Sequence, residues 1–164
     1  MEDMMRLSLG ILLVFGFSVT LLGCSASLIP GTRVADTPEN REIHTMVETY
    51  RLAVEERDPD TIAKLVSRRY YENGSTTDKQ ADDYGYDHLM NGVLVELKEN
   101  VKKAQYRIVL RKVMVQGNRA QAEYEYFWRF LYTEGGRDQW VQRNDFNRLD
   151  FVREDGSWKI IAGL

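Results

Sequence analysis

Beyond Lys103 the apolar residues stop recurring at helical spacing and begin to alternate, over four runs separated by turns that carry glycine. Tyr106, Ile108 and Leu110 open the first run, which continues to Val115 and ends at Gly117-Asn118. Arg119 to Thr133 follows, with Tyr124, Tyr126, Trp128, Phe130 and Tyr132 on one side. Gly135-Gly136 turns the chain into Gln139 to Val152, and Asp155-Gly156 turns it again into Ser157 to Ala162. Strand side chains point to opposite faces in alternation, and short glycine turns join antiparallel neighbours. The pattern predicts a meander of long strands with one aromatic face, and that face needs a cover.

The cover has to come from the residues before it. Thr37-Pro38-Glu39 gives a helix start: a hydroxyl to cap, proline in the first turn and an acid against the macrodipole. Ile43, Met46, Val47, Tyr50 and Val54 then share one face through about Arg57. Asp58-Pro59-Asp60 repeats the start signal for a short helix with Ile62, Leu65 and Val66 inward. Tyr70-Tyr71 reads as a short strand, and the polar stretch from Glu72 to Asp83 has no period. A third helix is predicted from Tyr86 to Lys102, with Tyr86, Leu89, Val93, Leu97 and Val101 along one face and Gly92 as its weak point. Helices first and an antiparallel sheet after them make an α+β fold, with no internal repeat and no second domain.

The first 23 residues are of another kind. Leu7 to Gly23 is an uncharged run of 17 residues, preceded by Arg6 and diluted by Gly10, Gly16, Ser18 and Thr20. A bilayer-spanning helix needs about 20 apolar residues, so the run fits a secretory signal better than a span. Leu21-Leu22-Gly23-Cys24 resembles the lipobox of bacterial lipoproteins, in which the chain is cut before a cysteine that then carries lipid. The resemblance implies a signal peptide over 1–23, a lipidated tether over 24–36 and a domain over 37–164. It also implies attachment to a membrane through Cys24, and Ser25 after it implies the outer membrane, facing the periplasm. The other reading is an uncleaved anchor helix with an incidental cysteine. With its one cysteine lipidated the chain has no thiol for a disulfide, a metal or catalysis. Removal of 1–23 takes away Glu2, Asp3 and Arg6, moving the formal charge from −3 to −2, which gives no reason to expect a nucleic-acid partner.

The capped segment DPDTIAKLVS, the long strands and the ending RLDFVREDGSWKIIAG resemble the nuclear transport factor 2-like superfamily, which includes SnoaL-like and ketosteroid isomerase-like proteins. The resemblance spans about Pro38 to Gly163 and implies a cone-shaped α+β fold with a pocket between helices and a curved antiparallel sheet. It leaves function open, because one fold hosts isomerases, dehydratases, ligand sensors and interaction modules.

If Leu149 and Phe151 face that pocket, alternation places Arg143, Asp145 and Asn147 on the same side. One reading makes Asp145 a general base, with His88 or Tyr126 assisting, Arg143 contacting an anion or carbonyl, and Asn147 and Trp128 in the binding wall. The other is an Arg-Asp pair at a widening end of the sheet, or a register shift that turns all three to solvent. The aromatic stripe likewise reads either as a ligand wall or as ordinary sheet packing. Phe127 and Leu131, on the opposite face, are candidates for a patch covered by a homodimer or an envelope protein. His44 reads as a surface residue. No metal site is expected, since histidines and cysteine lack ligand spacing and Asp78, Asp82 and Asp83 lack that of a calcium loop. No cofactor motif is present. Two functions follow: a lipid-anchored, non-catalytic domain that binds a small apolar ligand or a protein, and a tethered isomerase- or dehydratase-like enzyme using Asp145.

Overall fold

The computed structural model describes residues 27–73 and 83–164. Residues 1–23, Cys24 and Ser25, and the loop aspartates Asp78 and Asp82, lie outside the described residues. Two helices lead: α1 (Pro38–Glu56) and α2 (Pro59–Leu65). Thr37 caps α1 by accepting the Asn40 N–H at 3.2 Å. Arg57 closes it in the left-handed region at φ 54°, its N–H and that of Asp58 returning to Val54 and Ala53. Asp58 then turns its carboxylate to the N–H groups of Asp60 and Thr61 and starts α2 at once. This corner packs α2 across α1, as its repeated start signal implies.

A two-stranded ladder, β1 (Tyr71–Glu72) with β2 (Tyr84–Gly85), precedes the third helical segment. That segment runs from α3 (Tyr86–His88) through a π-helical turn, Leu89–Val93, into α4 (Leu94–Glu99). Here the predicted helix over 86–102 is corrected twice. It stops at Glu99, and Val101 is already the first, buried residue of a strand. The π turn also admits an extra residue, which rotates the apolar face by one position. Val93 is therefore 37% exposed, whereas Leu94 is 4% exposed and enters the core beside Leu89.

The sheet consists of β3 (Val101–Gln116), β4 (Arg119–Glu134), β5 (Arg137–Glu154) and β6 (Ser157–Ala162), all antiparallel and in sequence order. Gly135-Gly136 and Asp155-Gly156 have positive φ at both positions, the hairpin conformation that matches strand twist. β4 pairs along its whole length with β5, placing Tyr124 opposite Asn147, Tyr126 opposite Asp145 and Trp128 opposite Arg143. β6 is short and pairs only with Asp150–Glu154. The core lies between the Tyr124 face of the sheet and the helices, built on Ile43, Val47, Ile62, Leu89, Tyr124, Leu149, Phe151 and Ile160.

The stretch 24–36, expected as a tether, is docked from Leu28 onward. Ile29 and Val34 are buried, Leu28 bridges Ala35 around the Pro30-Gly31 turn, and the Arg33 N–H donates to the Leu110 carbonyl at 3.3 Å. Two apolar side chains with a sheet edge within reach bury themselves in preference to hanging in water.

Candidate functional site

A cleft of about 470 Å³ opens between the sheet and the helices. β4 contributes the aromatic stripe, Tyr124 through Tyr132, because residues two apart on a strand share a face. Tyr106 extends that wall from β3, while Tyr50 and Val54 of α1 and Leu89, Leu94 and Leu97 of the third helical segment form the roof. The rings pack in a chain. Tyr50 meets Tyr106 edge-on at 5.8 Å, Tyr106 and Tyr124 each lie about 6 Å from Tyr126, and Trp128 stacks on Phe130 at 4.8 Å.

Burial dominates the electrostatics of this wall. It pushes the Tyr124 hydroxyl up to about 12, against hydrogen bonding with Tyr106 and Asn147 that pulls the other way. Burial likewise raises Tyr50 and Tyr106, and neighbouring phenols add to it. Tyr126 is raised by burial too, and the Arg143 cation opposes the rise. All four are neutral phenols at physiological pH, able to donate or accept a hydrogen bond but holding no charge. Among the described residues the acidic side chain that lines the cleft is Glu96, which accepts a hydrogen bond from the Asn100 amide.

Of the residues proposed for chemistry and binding, Tyr126, Trp128 and Asn147 line that cleft, whereas Asp145, Arg143 and His88 do not. Arg143, Asp145 and Asn147 share the face of Tyr126, as alternation requires, but all three are exposed. The Asp145 side chain is 47% exposed and that of Arg143 61%. Asp145 accepts the Phe146 N–H at 2.9 Å and an Arg143 guanidinium N–H at 2.8 Å. The Phe146 N–H first, and then Arg143, hold its carboxyl below the usual carboxylate range, which makes it a poor proton acceptor. Asn147 does line the cleft, yet both ends of its amide are engaged: Nδ2 donates to the Gly163 carbonyl at 3.1 Å, and Oδ1 accepts the Arg148 N–H at 2.8 Å.

His88 is exposed, its ring 5.3 Å from that of Tyr84 and set against Gly92, whose Cβ position would lie 3.4 Å from Nε2. Neither His88 nor Asp145 lines the cleft. His44 is half-buried on α1. Among the described residues no cluster of three histidine, cysteine or carboxylate side chains could hold a metal.

Trp128 and Tyr126, which line the cleft along with Asn147, are both half-buried. The sequence reading missed Tyr50 and Tyr106 as wall residues, because helical and strand periodicity mark them only as inward. It also missed Leu164, whose side chain reaches the cleft while its N–H donates to the Tyr70 hydroxyl and its carbonyl accepts from the Tyr84 hydroxyl. No local signal announces that clamp, which joins residues about 80 or more positions apart.

A larger recess of about 790 Å³ lies around Tyr71, Glu72, Arg111, Phe146 and Arg148. Most of its charges are engaged: Arg148 pairs with Asp150, Arg111 with Glu125, and Glu72 accepts the Gly163 N–H at 2.7 Å, while Glu123 also lines it. A ligand there would have to break existing pairs, so the aromatic cleft is the better-built site.

No protein-family model and no curated protein matches the chain. Solved structures do. A nuclear transport factor 2-like superfamily protein from Salmonella enterica serovar Typhimurium superposes with a TM-score of 0.59 at 15% identity, over 75% of this chain and 86% of that one. The fold is that of the nuclear transport factor 2-like proteins. A conserved protein from Planctomyces limnophilus gives a TM-score of 0.61 at 12% identity, covering 76% and 92% of the two chains. A hexachlorocyclohexane dehydrochlorinase (LinA type 2) gives 0.58 at 16% identity, covering 76% and 82%. The fold is therefore shared with an enzyme, and a fold alone does not decide function.

Proposed function

We propose that this chain is a lipid-anchored domain of the cell envelope, held on the periplasmic side of the outer membrane, that binds a small apolar ligand in its aromatic cleft without transforming it. The observation that carries the reading is the composition of the cleft wall: neutral phenols, Trp128, Phe130 and aliphatic roof residues, with Asp145 outside the cleft and neutralised by Arg143. Such a wall suits a flat, largely apolar molecule bearing one or two hydrogen-bonding groups. An environment-sensitive hydrophobic dye, 8-anilinonaphthalene sulfonate, serves as the probe. Trp128→Ala is expected to weaken its binding roughly tenfold, a loss of about 1.4 kcal/mol, whereas Asp145→Asn leaves it unchanged. Equal titrations for wild type and Trp128→Ala would remove the cleft as the binding site.

The enzymatic alternative keeps one observation in its favour. Asp145 lies directly opposite Tyr126, and the dehydrochlorinase shares the fold. Turnover of a small carbonyl, lactone or halogenated substrate that disappears in Asp145→Asn would establish it over the binding reading.

Anchoring rests on the uncharged run ending in Leu-Leu-Gly-Cys. Two or three acyl chains on Cys24 would hold the protein on a bilayer stably where one would not. Cys24→Ser is expected to abolish incorporation of labelled fatty acid and move the protein from the membrane pellet to the soluble fraction. Unchanged labelling would refute the anchor.

A further inference from the structure

We propose that the free edge of β5 pairs with the same edge of a second copy of this chain, fusing two four-stranded sheets into one. Among the described residues β6 accompanies β5 only from Asp150 to Glu154, so residues 137–149 have no strand neighbour on that side. Three observations fix which backbone groups look outward. The N–H groups of Phe146 and Arg148 donate to the side chains of Asp145 and Asn147, and the Arg148 carbonyl is the atom that Gly163 approaches. Outward groups therefore belong to even-numbered residues, since orientation alternates along a strand. The N–H and C=O groups of Asp138, Trp140, Gln142 and Asn144 stand along this edge with no backbone partner among the described residues.

The capped donors limit the register. Asp145 and Asn147 already occupy the Phe146 and Arg148 N–H groups, which blunts that part of the edge. A two-fold axis through Val141, normal to the sheet, uses only the open groups: Asp138 faces Asn144 of the second copy and Trp140 faces its Gln142. The same register sets Arg137 opposite the second copy's Asp145, twice over, and Val141 against Val141. Trp140 and Val141, 42% and 41% exposed, are the apolar side chains this join covers. Neighbouring registers are worse. An axis through Gln142 needs the occupied Phe146 donor, one through Arg143 sets that cation against itself, and one through Trp140 sets Arg137 against Arg143. Charge complementarity and donor supply select the same alignment, and extended edge pairing is a recurrent mode of association.

The full-length chain carrying Cys24→Ser, in mild detergent, tests the join. On the axis Val141 forms a non-hydrogen-bonded pair with Cα atoms about 4.5 Å apart, within disulfide range. Oxidised Val141→Cys is expected to run as a covalent dimer, while Phe146→Cys, more exposed but off the axis, crosslinks roughly tenfold more slowly. Gln142→Pro removes one donor per copy that β4 does not use, so the fold tolerates it. On dilution in the same detergent its dimer dissociates at roughly tenfold higher protein concentration than the parent, because two hydrogen bonds across the axis are gone. A chain that sediments as a monomer at every concentration overturns the proposal. So does equal crosslinking at 146, or a dimer indifferent to Gln142→Pro. If that variant fails by circular dichroism, charge exchange decides: Arg137→Asp weakens the dimer, adding Asp145→Arg restores it, and failure to restore overturns the join.

Discussion

Gly163→Ala is expected to destabilise the domain by roughly 3 kcal/mol or more, the largest effect for the smallest change in the chain. Gly163 has φ +96°, a conformation that side-chain-bearing residues adopt only under strain, and a Cβ there would sit 1.9 Å from the Arg148 carbonyl oxygen. Backbone stands on both sides of the collision, so no rotamer change relieves it. The end of β6 would have to lift off β5. With it would go the Gly163 N–H bond to Glu72 at 2.7 Å and the Asn147 bond to the Gly163 carbonyl. Leu164, clamped next door by Tyr70 and Tyr84, closes one side of the cleft, so dye binding should fall along with stability. Urea unfolding followed by tryptophan fluorescence measures the first effect and dye titration the second. A loss within 0.5 kcal/mol would mean that the close approach of β6 to Arg148 does not exist.

Why did some of this stand in the sequence and some not? The strands were legible because period two and glycine turns are local: Gly117-Asn118, Gly135-Gly136 and Asp155-Gly156 all fall between observed strands. Capping at Thr37 and Asp58 was legible for the same reason. The π turn at Leu89–Val93 was not, since a helical template carries the apolar face to Val93 when one inserted residue hands it to Leu94. The face of Asp145 followed from alternation, but its exposure is a tertiary fact. Its actual hydrogen bonds, to Arg143 two residues back and to the next N–H, give it a structural use at the strand edge. The clamp on Leu164 needs Tyr70, Tyr84 and the end of β6 together, and no window of sequence contains all three.

Two phenylalanines five residues apart on β5 should differ by nearly the whole range of point-mutant energies. Phe151 is 1% exposed, paired with Ala120 on β4 and Ile160 on β6, and lies in the core with Leu149. Truncating it to alanine removes a ring from a closely packed interior that collapses only in part, at a cost of about 3–5 kcal/mol. Phe146 is 71% exposed on the opposite face, across from Glu125. Phe146→Ala should therefore stay within about 0.5 kcal/mol of the parent. An odd separation along a strand means opposite faces, so the contrast tests the register of β5 directly. A slip of one residue would turn Phe151 to the outer face, and its truncation would then cost little more than that of Phe146. The same slip would point the donors of odd-numbered residues outward and erase the open edge at Trp140 and Gln142. Urea midpoints for the two variants thus test at once the core assignment and the alternation on which edge pairing between copies depends.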